Sequence, residues 1–406
     1  MRPGPSGPLT QECVELRSGY LTVVNTSGLV VIGSGPAGIG AAESFRRHEP
    51  DAPILVISTD PCLPYERPPL SKDYLRGETD DVSLHPESWF TEHAIELRMG
   101  RAVTAIDVAE HAVIVDDERI PYGALVFAAG AAPSTLPVPG GERALSLRAL
   151  SDARRLRDAA ADAASAVVIG AGFIGCEAAA SLSLRGLAVT LIAPDRVPQQ
   201  ERLGTEAGER LLDLVRQSGV RYVAETSVSE IDEGRVRLDD GTTVDADLVL
   251  AATGVSPCSE LASNAGLAVQ DSRVVVGADM RSSAPDVYAA GDVAFAFNTG
   301  CGRHLAVEHW QDALDHGAIA GAQAAGAADT WHAVPGFWSS IGESTIKYHA
   351  WGDGFQSSRM VDHGNGFTVW YETDGRAVGV LTLDADDDYD LGEKLIAAGR
   401  PAPVAT

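Results

Sequence analysis

At 406 residues the chain exceeds one ordinary hydrophobic core, so two or three domains are expected. Its 45% hydrophobic and 22% charged content is that of a water-soluble globular protein, and no apolar run reaches membrane-spanning length. The net charge of −26 argues against nucleic acid and against an anionic membrane as partners, because both would repel it.

The N-terminus lacks the basic-then-apolar order of a secretory signal, so a cytoplasmic location is expected. Five cysteines (Cys13, Cys62, Cys176, Cys258, Cys301) are scattered without a C-x-x-C or C-x-x-x-x-C pair. Neither a metal knuckle nor a dithiol redox centre is written locally, and no metal site is expected. Residues 1–28 open Pro/Gly-rich, carry no motif and read as a partly disordered extension, with 20–24 as a candidate short strand.

Residues 30–32 form an apolar strand that runs into Gly33, Gly35 and Gly38, the G-x-G-x-x-G spacing, and a small-residue helix that opens Pro36-Ala37. These glycines let the backbone double back, approach a pyrophosphate and seat the helix against its strand. The helix N-terminus adds free N–H groups and a positive dipole end. A tight strand-to-helix turn with no ligand is the plainer reading of one such match. A second buried strand, 54–57, follows as a βαβ unit requires, and Asp60 beyond its end is the acid expected to hold an adenosine ribose.

Residues 63–75 read Leu-Pro-Tyr-Glu-Arg-Pro-Pro-Leu-Ser-Lys-Asp-Tyr-Leu. The prolines forbid a regular strand or helix through Pro69, Ser71 is placed to cap a following helix, and Arg67 and Lys72 are two cations fixed on a stiff loop. This segment resembles the PYxRPPLSKxYL run of FAD-dependent ferredoxin reductases. That family includes putidaredoxin reductase, rubredoxin reductase and dioxygenase reductase components, and apoptosis-inducing factor is a relative. The resemblance extends over about residues 29–354. It implies an α/β architecture with two Rossmann-like nucleotide-binding domains, as in glutathione reductase, and a C-terminal α+β domain with an antiparallel sheet.

Further along, residues 125–130 close on Ala129-Gly130, which resembles the turn where these flavoproteins cross between domains. A helical stretch, 153–166, leads to a second strand, glycine turn and helix, with Gly170, Gly172, Phe173, Ile174 and Gly175. Two such units imply two nucleotides. The next strand, 188–192, ends at Ala193-Pro194-Asp195-Arg196. NADH-preferring relatives usually carry a glutamate where Ala193 stands. Asp195 is left to serve two residues late, whereas Arg196 or Arg202 would meet a 2′-phosphate, which favours NADH over NADPH by a small margin. Strand 248–252 and Gly254 return the chain to the first domain.

Gly291-Asp292 resembles the pair that holds the flavin ribityl chain. An Asp opening a helix accepts backbone N–H bonds while its carboxylate takes a ligand hydroxyl. Residues 308–313 resemble the E-x-W-x-x-A helix start that sets Trp310 beside the isoalloxazine, and His309 is given no catalytic role. Phe337-Trp338 resembles the FWS element, which puts the aromatic Trp338 near the flavin. From 326 onward the pattern alternates as antiparallel strands, with a final helix after the acidic run 384–393.

The resemblance divides the chain into an extension (1–28), an FAD domain (29–143 and 254–326), an NAD(P) domain (144–253) and a β-rich C-terminal domain (327–406). It implies a monomeric or homodimeric enzyme with tightly bound FAD that takes hydride from NAD(P)H and passes single electrons to a ferredoxin-type iron–sulfur carrier. It also implies that Lys72 and Glu177 pair where the nicotinamide docks. Two rival readings remain. One is a single-cysteine disulfide or peroxide reductase using Cys62, its thiol activated by a cation such as Arg67. The other is a redox-sensing binding protein like apoptosis-inducing factor.

Overall fold

The computed structural model describes residues 28–404, and the candidate strand 20–24 lies outside them. Leu29–Ile32, Ile54–Ser58 and Ala124–Phe127 are apolar but for the terminal Ser58 and buried at every position, as strands covered on both faces must be. They belong to a parallel sheet ordered Val287–Ala289, Ala124–Phe127, Leu29–Ile32, Ile54–Ser58, Ile95–Met99. Leu29–Ile32 stands where the strand order reverses, so a crevice opens beyond its carboxyl end, and the first glycine turn occupies that place.

Helix Pro36–His48 leaves that turn and is covered in turn by helix Trp310–Ala324. Their backbones touch. A Cβ added to Gly317 would lie 2.1 Å from the Ala37 carbonyl oxygen, and one on Gly321 would lie 2.2 Å from that of Ala41. An antiparallel trio, Val103–Asp107, Ala112–Val115 and Glu118–Pro121, is inserted before the sheet is completed.

A second parallel sheet is ordered Arg221–Val223, Ala188–Ile192, Ser165–Ile169, Leu248–Ala251. The helix ahead of it spans Leu150–Asp162, shorter than the stretch 153–166, because Ser165 already begins a strand. The chain passes between the two parallel sheets on Ala131–Pro133 and Val255–Pro257, which pair antiparallel. The last unit is an antiparallel sheet ordered Gly336–Ile341, Ser344–Ala350, Arg376–Leu383, Phe367–Thr373, Ser357–Asp362. Helix Asp386–Ala397 closes it. Most of the acidic run lies within this helix rather than ahead of it, with Asp386, Asp387 and Asp388 in the first turn at the positive end of the dipole.

Candidate active site

The two glycine turns are built alike. Gly33 has φ 108° and a Cβ there would meet the Ala128 carbonyl oxygen at 2.2 Å, while Gly170 has φ 101° and would meet that of Ala252 at 2.5 Å. A Cβ on Gly38 would lie 1.9 Å from the Gly33 oxygen, and one on Gly175 would lie 2.0 Å from the Gly170 oxygen. Side chains are impossible there. Gly33 N–H donates to Ile57 O at 2.8 Å, and Gly170 N–H to Ile192 O at 2.9 Å, tying each turn to the neighbouring strand.

The middle glycines differ from these, because a Cβ on Gly35 or Gly172 would point into open space. Among the described residues the only non-adjacent atom within 4 Å of a Cβ on Gly35 belongs to the Arg67 guanidinium, at 3.8 Å; for Gly172 it is the Gln199 amide nitrogen, at 3.6 Å. Among the described residues Arg67 finds no hydrogen-bond acceptor. Burial and the nearby Arg148 both lower its pKa, with Asp292 and Asp60 acting the other way. A cradle that only glycine fits, under a guanidinium lacking an acceptor, suits a pyrophosphate. Pro36 opens the helix at its first position, and Ala37 is buried beneath Gly291.

Lys72 and Glu177 meet, with Nζ 2.8 Å from Oε2 and side-chain exposures of 12% and 3%. Glu177 also accepts Ser71 Oγ at 2.5 Å, Ser339 Oγ at 2.7 Å and Ser340 N–H at 3.3 Å. Four donors satisfy a carboxylate that would otherwise be very costly to bury. Local structure explains the convergence. Glu177 and Ser181 lie four residues apart on one face of helix Phe173–Leu184 and grip Ser71 by its hydroxyl and its carbonyl, the latter at 2.7 Å. Strand alternation turns Ser339 inward on the same face as the partly buried Phe337 and leaves Trp338 on the opposite face, 45% exposed. Phe337 packs edge-on against Phe173 at 4.7 Å and lies at the same distance from His309.

Ser71 is therefore not the expected cap: Pro68–Ser71 is a 3₁₀ turn, and helix Asp73–Arg76 begins after Lys72. Asp292 does not open an α-helix either. It sits buried in the 3₁₀ turn Gly291–Val293, between strands Val287–Ala289 and Ala294–Asn298, and its carboxylate takes Arg148 Nη2 at 2.5 Å. Asp60 accepts Tyr65 Oη at 2.7 Å and Cys62 N–H at 3.0 Å, so both its oxygens already staple the loop.

A family model described as pyridine nucleotide-disulphide oxidoreductase matches residues 27–317. The chain belongs to this family. Rhodocoxin reductase of Rhodococcus erythropolis is 33% identical over 92% of this chain and 90% of its own. The ferredoxin–NAD+ reductase component of the anthranilate 1,2-dioxygenase system of Burkholderia cepacia is 34% identical over 91% and 94%. The covalent putidaredoxin reductase–putidaredoxin complex contains a chain that superposes with a TM-score of 0.88 at 29% identity, covering 93% of this chain and 94% of that one.

In this pyridine nucleotide-disulphide oxidoreductase, Ala193 is 2% exposed and Asp195 half-exposed. Tyr222 Oη holds the Asp195 carbonyl at 2.9 Å, leaving its carboxylate without a hydrogen bond from the described residues. Arg196 leans to Glu209 at 3.4 Å, and Arg202 is exposed. Trp310 is half-buried at the start of its helix, and Ile174 is 47% exposed. Ala129 and Gly130 (φ 67°) lead into the crossing strand, with Gly130 O accepting Cys258 N–H at 2.9 Å; Gly254 (φ 98°) precedes the returning one. Cys62 is 6% exposed, packed in a cluster with Tyr65, Leu70 and Tyr74, and accepts a contact from Arg154 at 3.8 Å. No described helix is long and apolar enough to cross a membrane. No three His, Cys, Asp or Glu groups among the described residues are placed to hold a metal.

Sequence reading missed Ser71 and Ser339 as partners of Glu177, and Arg148 as partner of Asp292. Ser339 had a signal: it follows the Phe337-Trp338 element with the alternation that turns it inward. Arg148, 144 residues from Asp292, had none.

Proposed function

We propose that this protein is an NAD(P)H-dependent flavoprotein reductase that passes electrons to a ferredoxin-type iron–sulfur carrier. The duplicated glycine turn, one in each parallel sheet, carries the reading, and the named activities of its relatives support it. The first turn is assigned to FAD, within a domain formed by 29–143 and 254–326. The second is assigned to the nicotinamide coenzyme, within 144–253, and 327–406 forms the third domain.

FAD, when bound there, would supply the chemistry that joins two-electron hydride acceptance to one-electron release. Around it, Gly33, Gly35 and Gly38 keep the first turn clear of side chains, and Arg67 supplies the charge that a pyrophosphate needs. Asp292, held by Arg148, offers carboxylate oxygens to ligand hydroxyls. Lys72 and Glu177 fix the proline loop against the second nucleotide unit and the C-terminal sheet, and their mutual neutralisation keeps a lone charge from the place where the coenzyme docks. Asp195, with its carboxylate uncommitted, favours NADH, while Arg196 is drawn off by Glu209. The exposed Trp338 belongs to the surface offered to the electron carrier. Burial of Cys62 among Tyr65, Leu70 and Tyr74 tells against the thiol-based rival.

The test is purification followed by anaerobic mixing. Yellow protein bleached faster by NADH than by NADPH, and coenzyme-dependent cytochrome reduction that requires added ferredoxin, are expected. Colourless protein that takes up no FAD would end the reading.

A further inference from the structure

Resting on the assignment of the second glycine turn to the coenzyme, we infer that Gln199 is a positioning residue for the coenzyme pyrophosphate, the neutral counterpart of Arg67. Each turn has one open middle glycine and one nitrogen donor poised over it, Arg67 at Gly35 and Gln199 at Gly172. Neither side chain has a hydrogen-bond partner among the described residues.

Gln199 is held for this task by its backbone. It adopts φ 56°, a left-handed conformation that side chains other than Gly, Asn and Asp rarely take, at the start of helix Gln200–Gln217. Its carbonyl accepts Leu203 N–H at 2.9 Å and Arg202 N–H at 3.1 Å, which fixes the residue as the helix begins. The next residue, Gln200, carries a buried Oε1 with no partner among the described residues, so this junction holds polar groups beyond those the fold itself satisfies.

The difference in charge follows from the difference in tenancy. A resident dinucleotide gains from a charge-assisted bond to a cation, whereas a coenzyme that leaves after every turnover needs a weaker, neutral donor. Gln199 thus orients the pyrophosphate without retaining it.

The experiment measures NAD+ dissociation constants of the FAD-loaded protein by perturbation of its visible spectrum, with flavin absorbance and thermal unfolding recorded for each variant. Gln199→Gly removes the donor and relieves the left-handed backbone, so folding is preserved, and the dissociation constant should rise about 3- to 10-fold. Gln199→Arg should lower it about 5- to 10-fold, in a way that added salt erodes. Both constants within twofold of the parent, in a protein whose coenzyme binding Gly172→Val abolishes, would overturn the role of Gln199. Unchanged binding by Gly172→Val would instead overturn the assignment of the second turn.

Discussion

The first and second glycine turns superimpose in every feature their backbones control and part company in what surrounds them. Both have a left-handed first glycine, a third glycine where an added Cβ would fall within 2.0 Å of a carbonyl oxygen, and an open middle glycine. Behind the first turn, helix Pro36–His48 is locked to Trp310–Ala324 by backbone contact, and His316 lies fully buried against Trp331, ring centroids 4.3 Å apart, with neither ring nitrogen partnered by a described residue. Behind the second, helix Phe173–Leu184 carries Glu177 into a junction of three segments, with its charge answered by Lys72 and three other donors. Under the proposed assignment each cradle takes a dinucleotide, and the neighbours distinguish the one that stays from the one that leaves.

The largest effect should come from breaking the junction on the second helix. Glu177→Ala strands Lys72 and two serine hydroxyls and should destabilise the protein by about 3–5 kcal/mol in urea unfolding. Lys72→Ala combined with it should fall at least about 1 kcal/mol short of additivity. Additive losses would mean that the ion pair is not a unit.

The first turn should instead be the acid-sensitive one. Burial lowers the His316 pKa to about 4, with Asp312 and Asp292 opposing the shift. The folded state then holds fewer protons than the unfolded chain between pH 4 and the ordinary histidine value near 6.5, so stability is full above that value and falls as pH drops toward 4. The loss approaches about 3 kcal/mol, and His316→Leu should flatten the slope. An unchanged slope would place the titrating group elsewhere.

A smaller effect of two signs should come from Arg67→Gln. Flavin affinity should fall about 10- to 100-fold, by the strength of a hydrogen bond to a charged group. The flavin-free protein should melt higher, because the repulsion between Arg67 and Arg148 is gone. A lower melting temperature for the flavin-free variant would show Arg67 to be structural.

Strands and turns were legible because their periods are local. The buried runs 30–32, 54–57 and 167–169 stood out, and so did both glycine spacings. Asp292 was misread because Gly-Asp suggested a helix start, although the alternation Ala294-Phe295-Ala296-Phe297 that follows marks a strand. The pairing of Lys72 with Glu177 spans 105 residues and came from family resemblance, since no local pattern links them. Ser71 and Gln199 were opaque for a physical reason. A serine beside prolines reads as a cap, and a glutamine in a left-handed conformation carries no mark in composition.

The most direct test of separate tenants is to purify Gly35→Val and Gly172→Val side by side, measuring bound flavin by absorbance and NAD+ affinity by calorimetry. Gly35→Val should emerge colourless. Gly172→Val should keep its flavin spectrum and lose NAD+ binding. Loss of flavin from Gly172→Val with retention in Gly35→Val would contradict the assignment of the two sites.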